Sequence, residues 1–390
     1  MRERFIIHLN VADFPVAVER AVDVRLRGNP VIIAPEGALR AVVYDMSEEA
    51  YQSGVRKGMP LRRALRRCPK AVVLPPHPAR YEQAMVDFLK HALPYSPLVE
   101  VADCQGHLFI DATGIGRLFG PPPDLAWRIR KNVRAQMGFD PIWSVAPNKL
   151  VAKAATRIVK PVGEYIVGSG EEEDFLKPLP VHLVPGIESD DLKFFYDFNL
   201  TLAGEVARLS MDQLSVLFGS RSQHLHDAVR GIDTSPVLPF PHGKPVITVD
   251  YSFGDDTNDV RKVEAVLFTL VEQTGMKLRR KGMTAGRLRV FIDYSDGGQA
   301  SRQTVMDVPT SNDFNLFASA KFILNKAWKR RIRIRCLRLA ADRLAYPAPL
   351  QQTLFGKTER NRKDNLISAI DAVRNRFGRS ALQVGRVLAA

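Results

Sequence analysis

Apolar residues recur along this 390-residue chain with two alternating periods, and the changes of period outline its elements. A near-continuous apolar run at Phe5–Leu9 predicts a buried strand, a helical period from Pro15 to Arg25 follows, and Pro30–Ala34 predicts a second strand. Farther on, the pattern predicts a strand at Ala41–Tyr44, a short helix at Glu48–Gln52 and an arginine-rich segment, Arg62-Arg63-Ala64-Leu65-Arg66-Arg67. The break Pro75-Pro76-His77-Pro78 precedes a helix at Arg80–Leu93, a hairpin, a helix at Asp124–Met137, a strand at Pro141–Val145 and a helix containing Lys153. Strands alternating with helices in this way predict an α/β sheet with helices packed on it. From about 170 to 235 the pattern is helical, and a proline-rich stretch, residues 236–245, follows. Proline fixes φ, so this stretch is expected to be a stiff tether. Beyond it the order is strand (Val246–Phe253), helix (Asn258–Lys281), strands (Arg287–Tyr294 and Gln303–Val308), helix (Asp313–Trp328) and strand (Arg331–Leu339). A last helix is expected at Asn365–Phe377, with Ala369, Ile370 and Val373 as an apolar stripe suited equally to a partner and to packing on the body.

Composition adds scale and charge. A chain of this length suggests about three or four modules. Apolar residues make up 45% and charged ones 25%, as in folded soluble proteins. No run approaches the roughly 18 apolar residues of a membrane span, so no membrane partner is expected. The charged start Met1-Arg2-Glu3-Arg4 leads into a strand rather than a signal segment. Cys68, Cys104 and Cys336 are scattered without metal-ligand spacing, which fits a reducing cytoplasm. The formal net charge of +14 points to a polyanion. Between Lys277 and Arg343 sixteen Lys or Arg face five Asp, the footprint of a phosphate-backbone binder. Strand alternation would put Arg331, Arg333 and Arg335 on one sheet face; with no acid among those nine residues, that face is expected to meet DNA, as is the cluster Arg279-Arg280-Lys281.

Candidate chemistry sits at the N-terminus. Phe5-Ile6-Ile7-His8-Leu9-Asn10-Val11-Ala12-Asp13-Phe14-Pro15-Val16-Ala17-Val18-Glu19 resembles the first motif of the Y-family (DinB/UmuC) translesion DNA polymerases, His-x-Asp-x-Asp-x-Phe-Phe-Ala-x-Val-Glu. Two-metal phosphoryl transfer needs anionic oxygens around paired magnesium ions. Here the first metal position is Asn10, a neutral amide, and the steric-gate position is Pro15. The family's second metal motif carries adjacent acids. In Val99-Glu100-Val101-Ala102-Asp103-Cys104-Gln105-Gly106-His107-Leu108-Phe109-Ile110-Asp111 they fall on Gly106-His107 or, aligned from the left, on Gln105-Gly106. The triphosphate-gripping Tyr and Arg become Glu48 and Tyr51 before the turn Gly54-Val55-Arg56-Lys57-Gly58-Met59-Pro60, and Lys153 matches a remaining phosphate lysine. A carboxylate where a polyanion should sit repels it. Asp111-Ala112-Thr113-Gly114 with Leu118-Phe119-Gly120 resembles the ImuB-type members, which are polymerase-like and non-catalytic.

The resemblance extends over residues 4 to 385 and implies a multidomain α/β and α+β protein of right-hand architecture. It places a palm at 1–34 and 76–168, small fingers at 35–75 and a helix-hairpin-helix thumb at 169–235. A linker at 236–245, a βαββαβ little finger at 246–345 and a clamp-binding tail with a C-terminal helix at 346–390 complete it. In the thumb, Pro185-Gly186-Ile187 is the turn expected to meet a DNA phosphate. Gln351-Gln352-Thr353-Leu354-Phe355 resembles the peptide by which bacterial polymerases dock on the sliding clamp, with Gln351 on the pocket rim and Leu354 and Phe355 in the cleft. The implied function is a catalytically degenerate adaptor in SOS-type translesion synthesis and induced mutagenesis, nucleoid-associated in the cytoplasm. It would bind primer-template or damaged DNA, the clamp and a catalytic translesion polymerase, with no cofactor. The alternative is an active error-prone polymerase with magnesium on unorthodox ligands such as Asp103, Asp13 and Glu100. A structural nucleic-acid binder unrelated to replication is disfavoured by the clamp peptide.

Overall fold

The computed structural model describes residues 3–35, 41–103, 105–241, 245–347, 359–378, 381, 382 and 385. The chain divides into two compact units, Met1–His242 and Gly243–Ala390.

In the first unit, β1 (Ile6–Asn10), α1 (Phe14–Val22), β2 (Val31–Ile33), β3 (Asp45–Met46), α2 (Glu48–Gln52), α3 (Leu61–Arg67), β4 (Val72–Leu74) and α4 (Pro78–Lys90) come first. Then come β5 (Val99–Asp103), β6 (His107–Asp111), α5 (Gly116–Phe119), α6 (Pro122–Met137), β7 (Ile142–Ala146), α7 (Lys149–Ile158) and β8 (Glu164–Ile166). Five strands form one sheet in the order β5-β6-β1-β7-β8, and β3-β2-β4 form a small separate sheet. β1 lies at the centre and every residue in it is buried, which explains the near-continuous apolar run that His8 interrupts. Ile7 and Leu9 pack on one face with Phe88, Ile129 and Val133, while Ile6 meets Ala152 and Ala155 of α7 on the other. In the helical part of this unit α8 (Glu172–Leu176) packs Leu176 with α7, while α9 (Ser189–Asp197), α10 (Ala203–Ala207), α11 (Met211–Phe218) and α12 (Ser222–Val229) surround Phe195, Leu214 and Leu225.

The second unit runs β9 (Ile247–Thr257), α13 (Val260–Arg280), β10 (Thr284–Tyr294), β11 (Gln299–Thr310), α14 (Asp313–Ala327), β12 (Ile334–Ala345) and α15 (Glu359–Phe377). Its sheet order is β11-β10-β12-β9. Val263, Leu267, Leu316 and Leu324 of the helices cover the sheet side chains Leu288, Val290, Leu337 and Leu339.

Two expectations need correction. Residues 41–44 are not a strand: an isolated bridge joins Val42 to Pro60, and pairing with β2 is made by Asp45–Met46 instead. The last strand begins at Ile334, not Arg331, and its pairing with β10 is irregular between Ile334 and Cys336. Arg331 and Arg333 therefore precede the strand, and the irregularity at Arg335 breaks the alternation that would have aligned all three. All three are nevertheless exposed. The proline-rich stretch is not free throughout: Val237 is buried against α7 residues, and the Leu238 amide donates to Glu100.

Candidate active site and nucleic-acid interface

The tip of β1 and the β5–β6 turn meet where the resemblance places metal chemistry. Asn10 pairs with His107 across the sheet, so the tip residues facing it are Gly106 and His107, and Gln105 lies in the turn. Gly106 adopts φ +88°, and its carbonyl accepts from the Val11 amide at 3.0 Å. A Cβ there would stand 2.8 Å from Phe14 Cβ. Asn10 is buried, and its Nδ2 has no partner among the described residues.

His107 belongs to a chain of hydrogen bonds. Thr156 Oγ1 donates to the Lys153 carbonyl, so it accepts from His8 Nδ1 at 2.8 Å. His8 Nε2 is then the acceptor for His107 Nδ1 at 3.2 Å, and the two rings stack with centroids 5.3 Å apart. Burial holds His8 well below the usual histidine range. Burial, together with Lys153, Lys160, Arg157 and Lys57, pulls His107 down to about 3. Both imidazoles are neutral at physiological pH.

Among the described residues, acids nearby are few. Asp13 precedes α1 in a left-handed conformation, and burial, then Asp45, raises its carboxyl to about 6. Burial likewise raises Asp45, although the Lys57 ammonium lies 3.0 Å from it. Glu100 accepts from Lys149 at 3.0 Å and from the Leu238 amide at 2.9 Å, which corrects its assignment as a free metal ligand. Asp103 ends β5, and its side chain lies outside the described residues. Among the described residues no three His, Cys, Asp or Glu side chains group closely enough to hold a metal. An amide with an unpartnered nitrogen, a glycine and a neutral imidazole ringed by cations do not fit paired magnesium ions.

Pro15, at the steric-gate position, is buried in the first turn of α1. Glu48 opens α2 and accepts from Gln52, while the Arg56 guanidinium lies 3.8 Å over the Tyr51 ring. Lys153 is joined near the histidines by Lys57, Arg157 and Lys160, which the sequence pattern does not single out. The signal available was Lys160 itself, just beyond α7 and before Pro161.

At the helical end, Pro185-Gly186-Ile187 does form a turn, with Gly186 at φ +89°. Its carbonyl accepts from His224 and Arg221, and Asp191 accepts from the Glu188 amide at 2.8 Å. Carboxylates at Glu188, Asp190 and Asp191 follow directly, an unfavourable setting for phosphate.

In the second unit, Arg279 is not a surface cation. It is held at 2.7 Å by Asp313 and at 2.6 Å by Asp371 of α15, and it also donates to the Ser311 carbonyl. This corrects its assignment to DNA. Arg280 and Lys281 are exposed. The sheet face away from the helices carries a set that motif and charge counting did not reveal: Arg287, Arg289 and Phe291 on β10 and Arg338 on β12. Arg289 and Arg338 both lie over the Phe291 ring, at 5.6 and 5.9 Å, while Arg287 is tied to Asp342 at 2.6 Å. The spacing Arg287-Leu288-Arg289 was the sequence signal. Gln351, Leu354 and Phe355 lie outside the described residues.

Comparison with known proteins agrees with this layout. Residues 9–157 match the impB/mucB/samB family, and residues 245–354 match that family's C-terminal domain. The chain belongs to the Y-family of DNA polymerases. It is similar to a protein named DNA polymerase IV from Desulfatibacillum aliphaticivorans, 29% identical over 98% of this chain and 96% of that relative. A DNA polymerase IV from Caulobacter vibrioides is also 29% identical, over 98% and 94%. Among solved structures, a Y-family DNA polymerase chimera, Dbh-Dpo4(243-245)-Dbh, superposes with TM-score 0.75 at 19% identity, covering 87% of this chain and 99% of its own. An insertion ternary complex of Dbh DNA polymerase matches with TM-score 0.63 at 19% identity, covering 87% and 98%. The polymerase architecture is thereby established for this Y-family chain. No helix among the described residues is long and apolar enough to cross a membrane.

Proposed function

We propose that this Y-family chain works on primer-template DNA in translesion synthesis, and that it does so without two-metal nucleotidyl transfer. The observation carrying the second clause is the tip of β1: Asn10, Gly106 and His107 occupy the positions where the resemblance calls for carboxylates. A non-catalytic, ImuB-like member would act by holding DNA and recruiting other proteins. DNA binding is supported by the family and by the sheet face on which Arg289 and Phe291 are half-buried and Arg338 is exposed, to which Arg280, Lys281, Arg331, Arg333 and Arg335 add charge.

The second reading, a templated error-prone DNA polymerase in DNA repair, is the one the comparisons favour. The curated relatives carry the name DNA polymerase IV over nearly the whole chain. It would need magnesium on a different carboxylate set, of which Asp13 and Asp103 remain candidates. Primer extension on damaged and undamaged templates, in magnesium and in manganese, separates the two. The expected outcome is no product. Templated incorporation that disappears on Asp13→Asn or Asp103→Ala would establish the polymerase reading instead.

Recruitment to the sliding clamp is the finer part of the proposal and rests on Gln351, Leu354 and Phe355 in the sequence. Paired apolar anchors of this kind lose on the order of 2 kcal/mol or more each on truncation. Leu354→Ala with Phe355→Ala is expected to abolish clamp association in a pull-down and damage-induced mutagenesis in cells, with thermal stability unchanged. Normal mutagenesis in that variant would mean recruitment runs through another surface.

A further inference from the structure

Three of the five side chains from Phe194 to Phe198 are exposed aromatics: Phe194 is 48% exposed, Tyr196 49% and Phe198 55%. α9 is anchored by Phe195, which is fully buried and packs on Phe218 of α11 with ring centroids 4.9 Å apart. With Phe195 turned inward, Asp190, Phe194, Asp197 and Phe198, spaced three and four residues apart, share an exposed face of the helix. Phe194 extends that face to α11 through an edge contact with Phe218, whose centroid lies 5.9 Å away. Exposed apolar residues scattered singly need no explanation, but aromatics gathered on one face mark an interaction site.

The charge around these rings decides what covers them. The chain carries a formal net charge of +14, yet from Glu188 to Arg221 six carboxylates stand against three Lys or Arg. Asp190 is matched by Lys193 at 2.8 Å, a surface pair exposed on both sides and weakly held. Asp197 is exposed and forms no ion pair among the described residues. Nucleic acid and anionic lipid are repelled by such a surface. A second copy docked on the same face about a two-fold axis would set Asp190 and Asp197 against their own images, which costs affinity. A basic protein surface meets both the apolar and the acidic side chains. Phe194 and Phe198 lie one turn apart along α9, about 6 Å, the spacing of apolar side chains four residues apart on a facing helix.

We propose that the α9 face formed by Phe194 and Phe198, with the adjoining edge of Phe218, binds a basic amphipathic helix of a partner protein. Apolar side chains of that helix cover the rings, and its flanking Lys or Arg residues lie beside Asp190 and Asp197. The assignment is independent of whether the chain polymerises DNA or only holds it. Panning a display library of random helical peptides against the full chain, followed by fluorescence anisotropy on the peptides it enriches, tests it. Those peptides are expected to carry apolar residues at helical spacing together with net positive charge. They should bind Phe194→Ala with Phe198→Ala about tenfold or more weakly than the wild type. Asp197→Lys should weaken the same peptides severalfold and reduce the salt dependence of their binding. A cation suits the last turn of α9, so that variant should melt like the wild type. Phe198→Ala alone leaves the contact between Phe194 and Phe218 in place, and it should show part of the loss even if the double variant fails to fold. Affinity for primer-template DNA should be unchanged in every folded variant. No enrichment, enrichment of acidic or uncharged peptides, or equal binding to wild type and Phe198→Ala would overturn the assignment. So would a fall in DNA affinity in Phe198→Ala, which would make the face a DNA contact. A concentration-dependent dimer in sedimentation that Phe198→Ala abolishes would give the face to a second copy and overturn it as well.

Discussion

Gly106→Asp, which places an acid at a position where the motif carries one, is expected to destabilise the protein. Gly106 holds φ +88°, a conformation costly for any residue with a Cβ, and the added carbon would meet Phe14 at 2.8 Å. Left-handed strain of about 1–2 kcal/mol and overpacking of about 1–3 kcal/mol sum to roughly 3 kcal/mol. The turn has no slack to absorb this, because the Gly106 carbonyl is tied to the Val11 amide and Phe14 is 1% exposed in the core. Urea denaturation of Gly106→Asp and Gly106→Ala should show comparable losses, since the Cβ rather than the charge does the damage. A Gly106→Asp midpoint equal to wild type would mean that the turn re-forms easily. Asn10→Asp with His107→Glu then makes the informative catalytic test, because it adds two carboxylates without touching the glycine. The β5–β6 tip is thus built around a residue without a side chain, and point substitution does not lead simply back to a metal site.

Much of the fold was legible because it depends on local periodicity. α2 falls at Glu48–Gln52 as the pattern predicts, and the helix expected at Asp124–Met137 begins two residues earlier, at Pro122. The order of elements in the second unit could also be read, since buried strands and amphipathic helices have distinct periods. What could not be read depends on partners distant in sequence. The irregularity at Arg335 arises where β12 is fitted against β10 and β9, and nothing in Arg331–Leu339 itself announces it. The fate of Arg279 is decided by Asp313 and Asp371, 34 and 92 residues away. That Asn10 and His107 depart from the motif's acids is a property of the sequence itself, whereas the convergence of Lys57, Arg157 and Lys160 on His107 needed three elements to be folded together.

The two arginine classes of the second unit should separate cleanly on mutation. Arg279→Ala removes the cation between Asp313 and Asp371, which are 9% and 18% exposed, and leaves two carboxylates without their partner. Breaking such a pair costs about 3 kcal/mol, so thermal stability should fall and α15 should lose protection from amide exchange. Burial already raises Asp313 to about 6. Without the guanidinium its pKa rises further, so the carboxyl takes up a proton more readily and relieves the unpaired charge. The deficit relative to wild type should therefore be largest above pH 7 and should shrink as pH falls through about 6. Gly275→Ala should reproduce the loss, because a Cβ there would stand 1.8 Å from Asp313 Oδ1. Arg289→Ala with Arg338→Ala should do the opposite. These side chains lie over Phe291 on the face away from the helices, so melts should shift little. Affinity for duplex DNA should fall, and its salt slope should flatten by roughly 0.9 for each phosphate no longer neutralised. If instead Arg279→Ala weakens DNA binding at full stability while the sheet-face pair is neutral, the DNA-facing surface of this unit lies on its helical side.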